Sequence, residues 1–343
     1  MWLRSDNAGG VSEEILAAMA TCSAGVAAPY GDDELSRQVD ARLSTLFETT
    51  VKAFMVPSGT AANALALSAI AGPFDMIVCH QDAHAFGNEC GATEVFSGGA
   101  RFSPVGGAHA RVDHGTAATL LAGMAGGRDK TWRPGVLTVT QLTEAGTLYR
   151  PEDLRALGAL AHQHGLRMHM DGARFANAVA ALAVHPADIT WRAGVDVLSL
   201  GATKNGAMYA DAVVFFDPTL AAGFKRRMKR FGHDLSKTRF MAAQLLRYLE
   251  DDLWLRNARH ANTVARELGA LLAGVPGADI LHPVEGNIVF VALPDQCVRT
   301  LAAASIALRS KGQLADGREW FRLVPSFSTD PEEVRTFASA LGR

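Results

Sequence analysis

Apolar residues recur along this chain in two rhythms: short aliphatic runs, and longer stretches in which they return every three or four positions. A short apolar run predicts a buried strand, and the return at three and four predicts one face of a helix. Strands are therefore predicted at 52–56, 76–79, 136–140, 167–170, 195–200 and 212–216. Helices are predicted at 13–20, at 33–47 with Leu35, Val39, Leu43 and Leu46 turned inward, and at 61–70. More are expected at 87–92, at 151–164, where Pro151 suits a first turn, and at 174–182. Strands alternating with helices predict an α/β fold, a mostly parallel sheet with helices on both faces. Beyond about residue 230 the rhythm changes to one long helix over 238–268, then strands at 288–293 and 320–324 around a helix near Ala302. The expected organisation is a large α/β domain over residues 1–237, followed by a bridging helix and a small α+β domain over 238–343.

Composition narrows the function classes. With 343 residues, 48% of them hydrophobic, the chain can bury a sizeable core. Its net charge is −2, and the basic run Lys225 to Arg230 is short, so a nucleic-acid partner is not expected. Every apolar run falls short of a membrane span. Met1 to Asn7 carries charge with no apolar stretch after it, so no secretory leader is expected. Cys22, Cys79, Cys90 and Cys297 form no CxxC pair and no zinc spacing. Free thiols, no catalytic metal and a cytoplasmic location are the expectation.

The candidate chemistry begins at Lys204, just past the apolar run that ends at Leu200. An amine at the carboxyl end of a buried strand is partly desolvated, which favours its neutral, nucleophilic form. Such a lysine can hold an aldehyde as a Schiff base, and pyridoxal phosphate is the commonest such aldehyde. Asp171 ends the strand before it, where ligands bind in open parallel sheets, and could pair with a protonated pyridine nitrogen. Arg174, three residues on, has a fork suited to a carboxylate. Ser58-Gly59-Thr60 lies between a strand and a helix amino end, where backbone N–H groups can approach a phosphate. His84 could stack on a ring and move protons, and Arg322 could add a second clamp. Each feature also has an ordinary structural explanation: an N-cap, an Asp–Arg pair, a surface lysine.

Taken together and in order, the motifs resemble the low-specificity L-threonine aldolase family, in the aspartate-aminotransferase-like group of pyridoxal phosphate enzymes. The matching segments are Arg4-Ser5-Asp6-Asn7, Tyr30-Gly31-Asp32-Asp33, Ser58 to Asn63, Ala83 to Ala92 and Thr140 to Tyr149. They continue through His169 to Phe175, Gly201 to Gly206 and Phe321 to Val324. The resemblance implies a seven-stranded, mostly parallel sheet of fold type I. It implies that Lys204 carries pyridoxal 5'-phosphate, that Asp171 holds the pyridine nitrogen and that His84 stacks on the ring. Ser58, Gly59 and Thr60 would bind phosphate, while Ser5, Arg174 and Arg322 would grip the substrate carboxylate. Active sites shared across a homo-oligomer, at least a dimer and by family a tetramer, would bring Tyr30 and either Lys229 or Arg230 from the partner. The implied reaction cleaves threonine, allo-threonine or phenylserine to glycine and an aldehyde, with His84 as candidate base.

The chain departs from the family pattern in two places. Residues 128–132 lack a histidine found there in some members, and Gln141-Leu142-Thr143-Glu144 replaces Glu-Asn-Thr-His. The same electron sink also supports β-elimination, racemisation or transamination, so a β-eliminating or other amino-acid lyase is the alternative. A non-enzymatic scaffold would have no need for Lys204, Asp171, His84 and both arginines together.

Overall fold

The structure, a computed structural model, describes residues 3–124, 131–304, 306 and 308–341. Seven strands form the main sheet: β1 (Lys52–Val56), β2 (Asp75–His80), β3 (Arg101–Val105), β4 (Arg133–Thr140), β5 (Arg167–Gly172), β6 (Val197–Leu200) and β7 (Asp211–Phe215). Their order across the sheet is β1-β7-β6-β5-β4-β2-β3. Strands β3, β2, β4, β5 and β6 run parallel, and β7 is antiparallel to both β6 and β1. Two reversals make β1 run the same way as β6. One edge therefore collects the carboxyl ends of β1, β2, β4, β5 and β6 together with the amino end of β7. Register fixes this: Val56 faces Asp211, and Leu200 faces Ala212.

The central strands are apolar on both faces because helices cover both, and every residue of β6 and β7 is buried. His169, buried in β5, is one of several polar side chains among them. Its two ring nitrogens are satisfied by the hydroxyls of Thr138 at 2.8 Å and Ser199 at 2.9 Å. Burial holds its pKa down at about 4, so it sits in the core as a neutral imidazole.

A second, antiparallel sheet contains β8 (Asp279–Ile280), β9 (Val289–Leu293), β10 (Ser310–Gln313) and β11 (Glu319–Leu323), in the order β10-β11-β9-β8. Val264, Leu268, Val291, Phe321 and Phe337 form its core, joined by Leu3 from the amino-terminal arm. The arm is tied there, since Val324 N–H donates to the Leu3 carbonyl at 2.8 Å. That bond delivers Ser5 and Asp6 beside the end of β11, which carries Arg322.

Most predicted elements are present within a residue or two of their expected ends, and two expectations fail. The helix expected at 87–92 is instead the link between short helices His84–Gly87 and Ala92–Ser97, with Cys90 and Gly91 both at positive φ. The helix expected at 238–268 is two, Arg239–Leu249 and Leu253–Ala273, broken where Asp251 and Asp252 turn left-handed. Three consecutive acidic residues, Glu250 to Asp252, give that break its polar, solvent-facing composition. Among the described residues no helix is long and apolar enough to cross a membrane. Residues 128–130, part of the segment without the second histidine, lie outside the described residues.

Candidate active site

The shared strand edge opens onto two adjoining cavities. The smaller, about 220 Å³, is lined by Ser58, Gly59, Thr60, Asn63, Glu89, Asp171 and Asp211. The larger, about 700 Å³, is lined by Ser5, Arg174, His282, Trp320 and Arg322 among others. His84, Glu144 and Lys204 line both, so the two form one continuous site.

A hydrogen-bonded chain spans the smaller cavity. Asp171, near the end of β5, accepts from the Ala173 N–H at 3.0 Å and from the Asn63 amide at 2.8 Å. The same amide donates to Glu89 at 2.9 Å, and Glu89 receives the His84 Nδ1 at 2.8 Å. Asn63 can bridge the two carboxylates because it lies one turn into helix Gly59–Ile70. Burial, with the Asp171 charge nearby, pushes the Glu89 carboxyl up. The Glu89 hydrogen bond raises the His84 imidazole above its ordinary value, against the effect of burial.

Helix Gly59–Ile70 begins at this cavity with its N-cap in place: the Ser58 hydroxyl accepts from Ala61 N–H at 3.2 Å. Among the described residues the N–H groups of Gly59 and Thr60 have no acceptor, so the first turn presents free donors and positive potential. A Cβ built on Gly59 would meet no protein atom closer than 3.9 Å. Beneath it, Asp211 accepts from the N–H groups of Ala202 and Thr203 at 2.9 and 3.0 Å, and that pins the turn carrying Lys204. Burial raises the Asp211 carboxyl.

Lys204 occupies the short turn Thr203–Asn205 after β6. Burial first, then the positive charge of Arg174, lowers its pKa and so enlarges its neutral fraction. Arg174 is itself buried, with its Nε and Nη2 on the two oxygens of Asp6 at 2.7 and 3.0 Å. Asn287 adds a third donor to Asp6 at 3.1 Å. Burial would raise Asp6, but the charge and hydrogen bonds of Arg174 outweigh it and hold the carboxyl low. Arg322 is brought down to about 10, chiefly by burial and then by the charge of Arg174. Two arginines thus line one cavity, and among the described residues Arg174 has an ion-pair partner, Asp6, while Arg322 has none.

Ser5, Ser58, Gly59, Thr60, His84, Asp171, Arg174, Lys204 and Arg322 therefore all line the two adjoining cavities. Arg174 is not free as expected: half of its fork is spent on Asp6. Tyr30 lines neither cavity and is exposed elsewhere, with the Lys229 ammonium over its ring at 4.6 Å and Lys225 bonded to its carbonyl at 2.5 Å. Sequence reasoning missed Asp6, Asn63 and Glu89, although each stands inside a motif already singled out. It also missed Glu144's place on both cavities, and His282, for which no local signal exists.

The family model described as "Beta-eliminating lyase" matches residues 3–296. The chain is 41% identical over 338 residues to the low specificity L-threonine aldolase of Pseudomonas aeruginosa, spanning 97% of this chain and 95% of that protein. It is 39% identical to the protein of the same name from a Pseudomonas sp., spanning 98% and 95%. The solved threonine aldolase of Leishmania major superposes with a TM-score of 0.93 at 25% identity, covering 99% of this chain and 98% of that one.

Proposed function

This chain belongs to the beta-eliminating lyase family, and on that premise we propose that it cleaves L-β-hydroxy-α-amino acids, threonine and allo-threonine among them, to glycine and an aldehyde. The observation that carries the reading is the larger cavity, which a desolvated lysine lines together with Arg174, paired with Asp6, and Arg322, which has no ion-pair partner among the described residues. Pyridoxal 5'-phosphate is the cofactor we assign. The residues present fit it: buried Asn63 Oδ1 and Glu89 Oε2 lack partners in the smaller cavity, and Gly59 leaves open space beside free N–H donors. Lys204 would hold it covalently, Asp171 its ring nitrogen, His84 its ring face, and Ser58 to Thr60 its phosphate. When bound, the cofactor supplies an electron sink for the pair released from a bond at Cα.

The protein's own groups do the positioning. The outer face of Arg174 and the guanidinium of Arg322, with Ser5, take the substrate carboxylate and so fix which Cα bond is presented for cleavage. Asp6 holds Arg174 in that orientation. Glu89 holds His84 through Nδ1, and Asp211 holds the backbone turn that carries Lys204. In this reading the amine of Lys204, once released, carries a proton to or from Cα.

A β-elimination reading remains the second one, favoured by the family model's own description. Elimination needs an acid beside a leaving group, and Glu144, which lines both cavities, could stand there. Supplying L-threonine, phenylserine and a β-substituted alanine, then identifying products, separates the two. Acetaldehyde and glycine from threonine, absent with Lys204→Ala, support the aldolase; pyruvate from the alanine derivative alone would replace it with elimination.

We also take the protein to be a cytoplasmic homo-oligomer, a dimer at least and by family a tetramer. Tyr30, Lys229 and Arg230 line neither cavity of the site, and a partner's site could use them. In this reading residues 1–237 hold the cofactor and 238–343 supply Arg322.

A further inference from the structure

The larger cavity contains an imidazole pair that the account above leaves without a role. His282 lines the cavity with Arg174, Lys204 and Arg322. Its Nδ1 lies 3.0 Å from the Nδ1 of His109, and the two rings meet edge to face at 5.3 Å. The two histidines stand 173 positions apart, one after β3 and one after β8, so the fold itself creates the contact. His109 is fixed from behind: its carbonyl accepts the hydroxyls of Thr147 at 2.7 Å and Thr143 at 3.3 Å, on the loop that carries Glu144. His282 is fixed against Phe290 of β9, edge to face at 5.1 Å.

We propose that His282, oriented by His109, is the base that takes the β-hydroxyl proton of the substrate; this rests on the aldolase reading of the same site. Two imidazoles joined through Nδ1 share one proton, so one ring donates and the other accepts. With the proton on His282 Nδ1, its Nε2 lone pair is the atom left for a ligand. The substrate O–H bond breaks, the proton goes to His282 Nε2, and Cβ–O becomes the aldehyde carbonyl. The Cα–Cβ bond breaks with its electron pair left at Cα, which takes up a proton to give glycine. His109 accepts the Nδ1–H throughout and holds the tautomer; it is a positioning residue.

The titratable groups facing His282 are His109, from the turn after β3, and Asp82, from the loop after β2; β9 presents the uncharged Phe290. Burial, then the charge of His109, keeps His282 below its ordinary value, outweighing Asp82. It is therefore a neutral acceptor at pH 7. His84 is engaged elsewhere: Glu89 holds its Nδ1 at 2.8 Å, and it lines the smaller cavity with Asp171 and Lys204, where the ring of the cofactor would lie.

The test compares the pyridoxal phosphate-loaded wild type with His282→Ala, His282→Gln and His109→Ala. Two reactions are followed: L-threonine cleavage, and exchange of the glycine α-hydrogen for deuterium, which involves no β-hydroxyl. Both His282 variants should lose about a hundredfold in cleavage kcat, the size of a general-base contribution, while glycine exchange falls far less. His109→Ala should lower threonine cleavage more than glycine exchange, because His282 loses the partner that fixes its tautomer. In the cofactor-free protein, nitrogen-15 spectra of the histidine rings should show His282 protonated at Nδ1, a state lost in His109→Ala. Equal loss of both reactions would reduce His282 to a structural residue, and wild-type cleavage by either His282 variant, or an Nε2-protonated His282, would overturn the assignment. Should the wild type itself cleave no β-hydroxy amino acid, the aldolase reading falls with it.

Discussion

Removing the Asp6 carboxylate exposes the most heavily braced charge in the site. Arg174 is buried, and two of its donors end on Asp6, whose second partner is Asn287. Asp6→Ala leaves a buried guanidinium uncompensated, with Lys204 and Arg322 adding repulsion. Breaking a buried ion pair at one end costs about 3–5 kcal/mol. At about 2 °C per kcal/mol for a chain of this size, a loss of about 4 kcal/mol lowers Tm by about 8 °C. Asp6→Asn keeps the shape and one acceptor, and should lose about half as much. The pH dependence has a definite sign. The folded-state pKa of Asp6 is depressed, so its contribution is present above the unfolded value of 3.8 and disappears as pH falls through the folded one. Thermal unfolding by calorimetry at pH 7 and near pH 3 should therefore show a gap between wild type and Asp6→Ala that narrows in acid. Threonine KM should rise in the variant more than kcat falls, since Arg174 loses its orientation. A variant within about 1 kcal/mol of wild type at pH 7 would refute the idea that Asp6 is needed to bury Arg174.

Two further predictions concern the scaffold. His169 is held down at about 4 against an unfolded value of 6.5, so stability is full above about pH 6.5 and falls as pH drops toward 4. The loss by pH 5 is about 2 kcal/mol, and urea unfolding of His169→Asn should lack that component even if the variant is weaker throughout. Gly146 has φ +79°, and a Cβ there would sit 2.8 Å from Ile288 Cβ and 3.1 Å from the Ile288 carbonyl. Gly146→Ala should therefore cost at least about 2 kcal/mol in the same assay, and a neutral substitution would show that the Glu144 loop is not pinned at that contact.

What the sequence revealed, and what it hid, follows from how far apart the interacting residues lie. Lys204 and Asp171 were legible because each ends an apolar run, and the end of a buried strand in a parallel sheet is a ligand-facing position. Ser58 to Thr60 was legible as a helix start. Strand β3 was not: Arg101-Phe102-Ser103-Pro104-Val105 has proline and little alternation, as an edge strand tolerates. Strand β10, Ser-Lys-Gly-Gln, is polar and exposed, and only its pairing with β11 makes it a strand. The brace between Asp6 and Arg174 spans 168 positions, and its charge sign alone could not say whether Arg174 would meet a substrate or a neighbour. Asn63 and Glu89 were nearer to hand. One lies a helical turn beyond Gly59 and the other five residues past His84, so a search of motif faces, and not only motif ends, would have found them.

The most direct test of the account is where the cofactor attaches. Purified protein is incubated with pyridoxal 5'-phosphate, reduced with borohydride and digested, and the modified peptide is identified by mass spectrometry, with Lys204→Ala in parallel. The account predicts the cofactor's mass on the peptide that contains Lys204 and on no peptide of the variant. Attachment at another lysine, or no attachment to the wild-type protein, would contradict it.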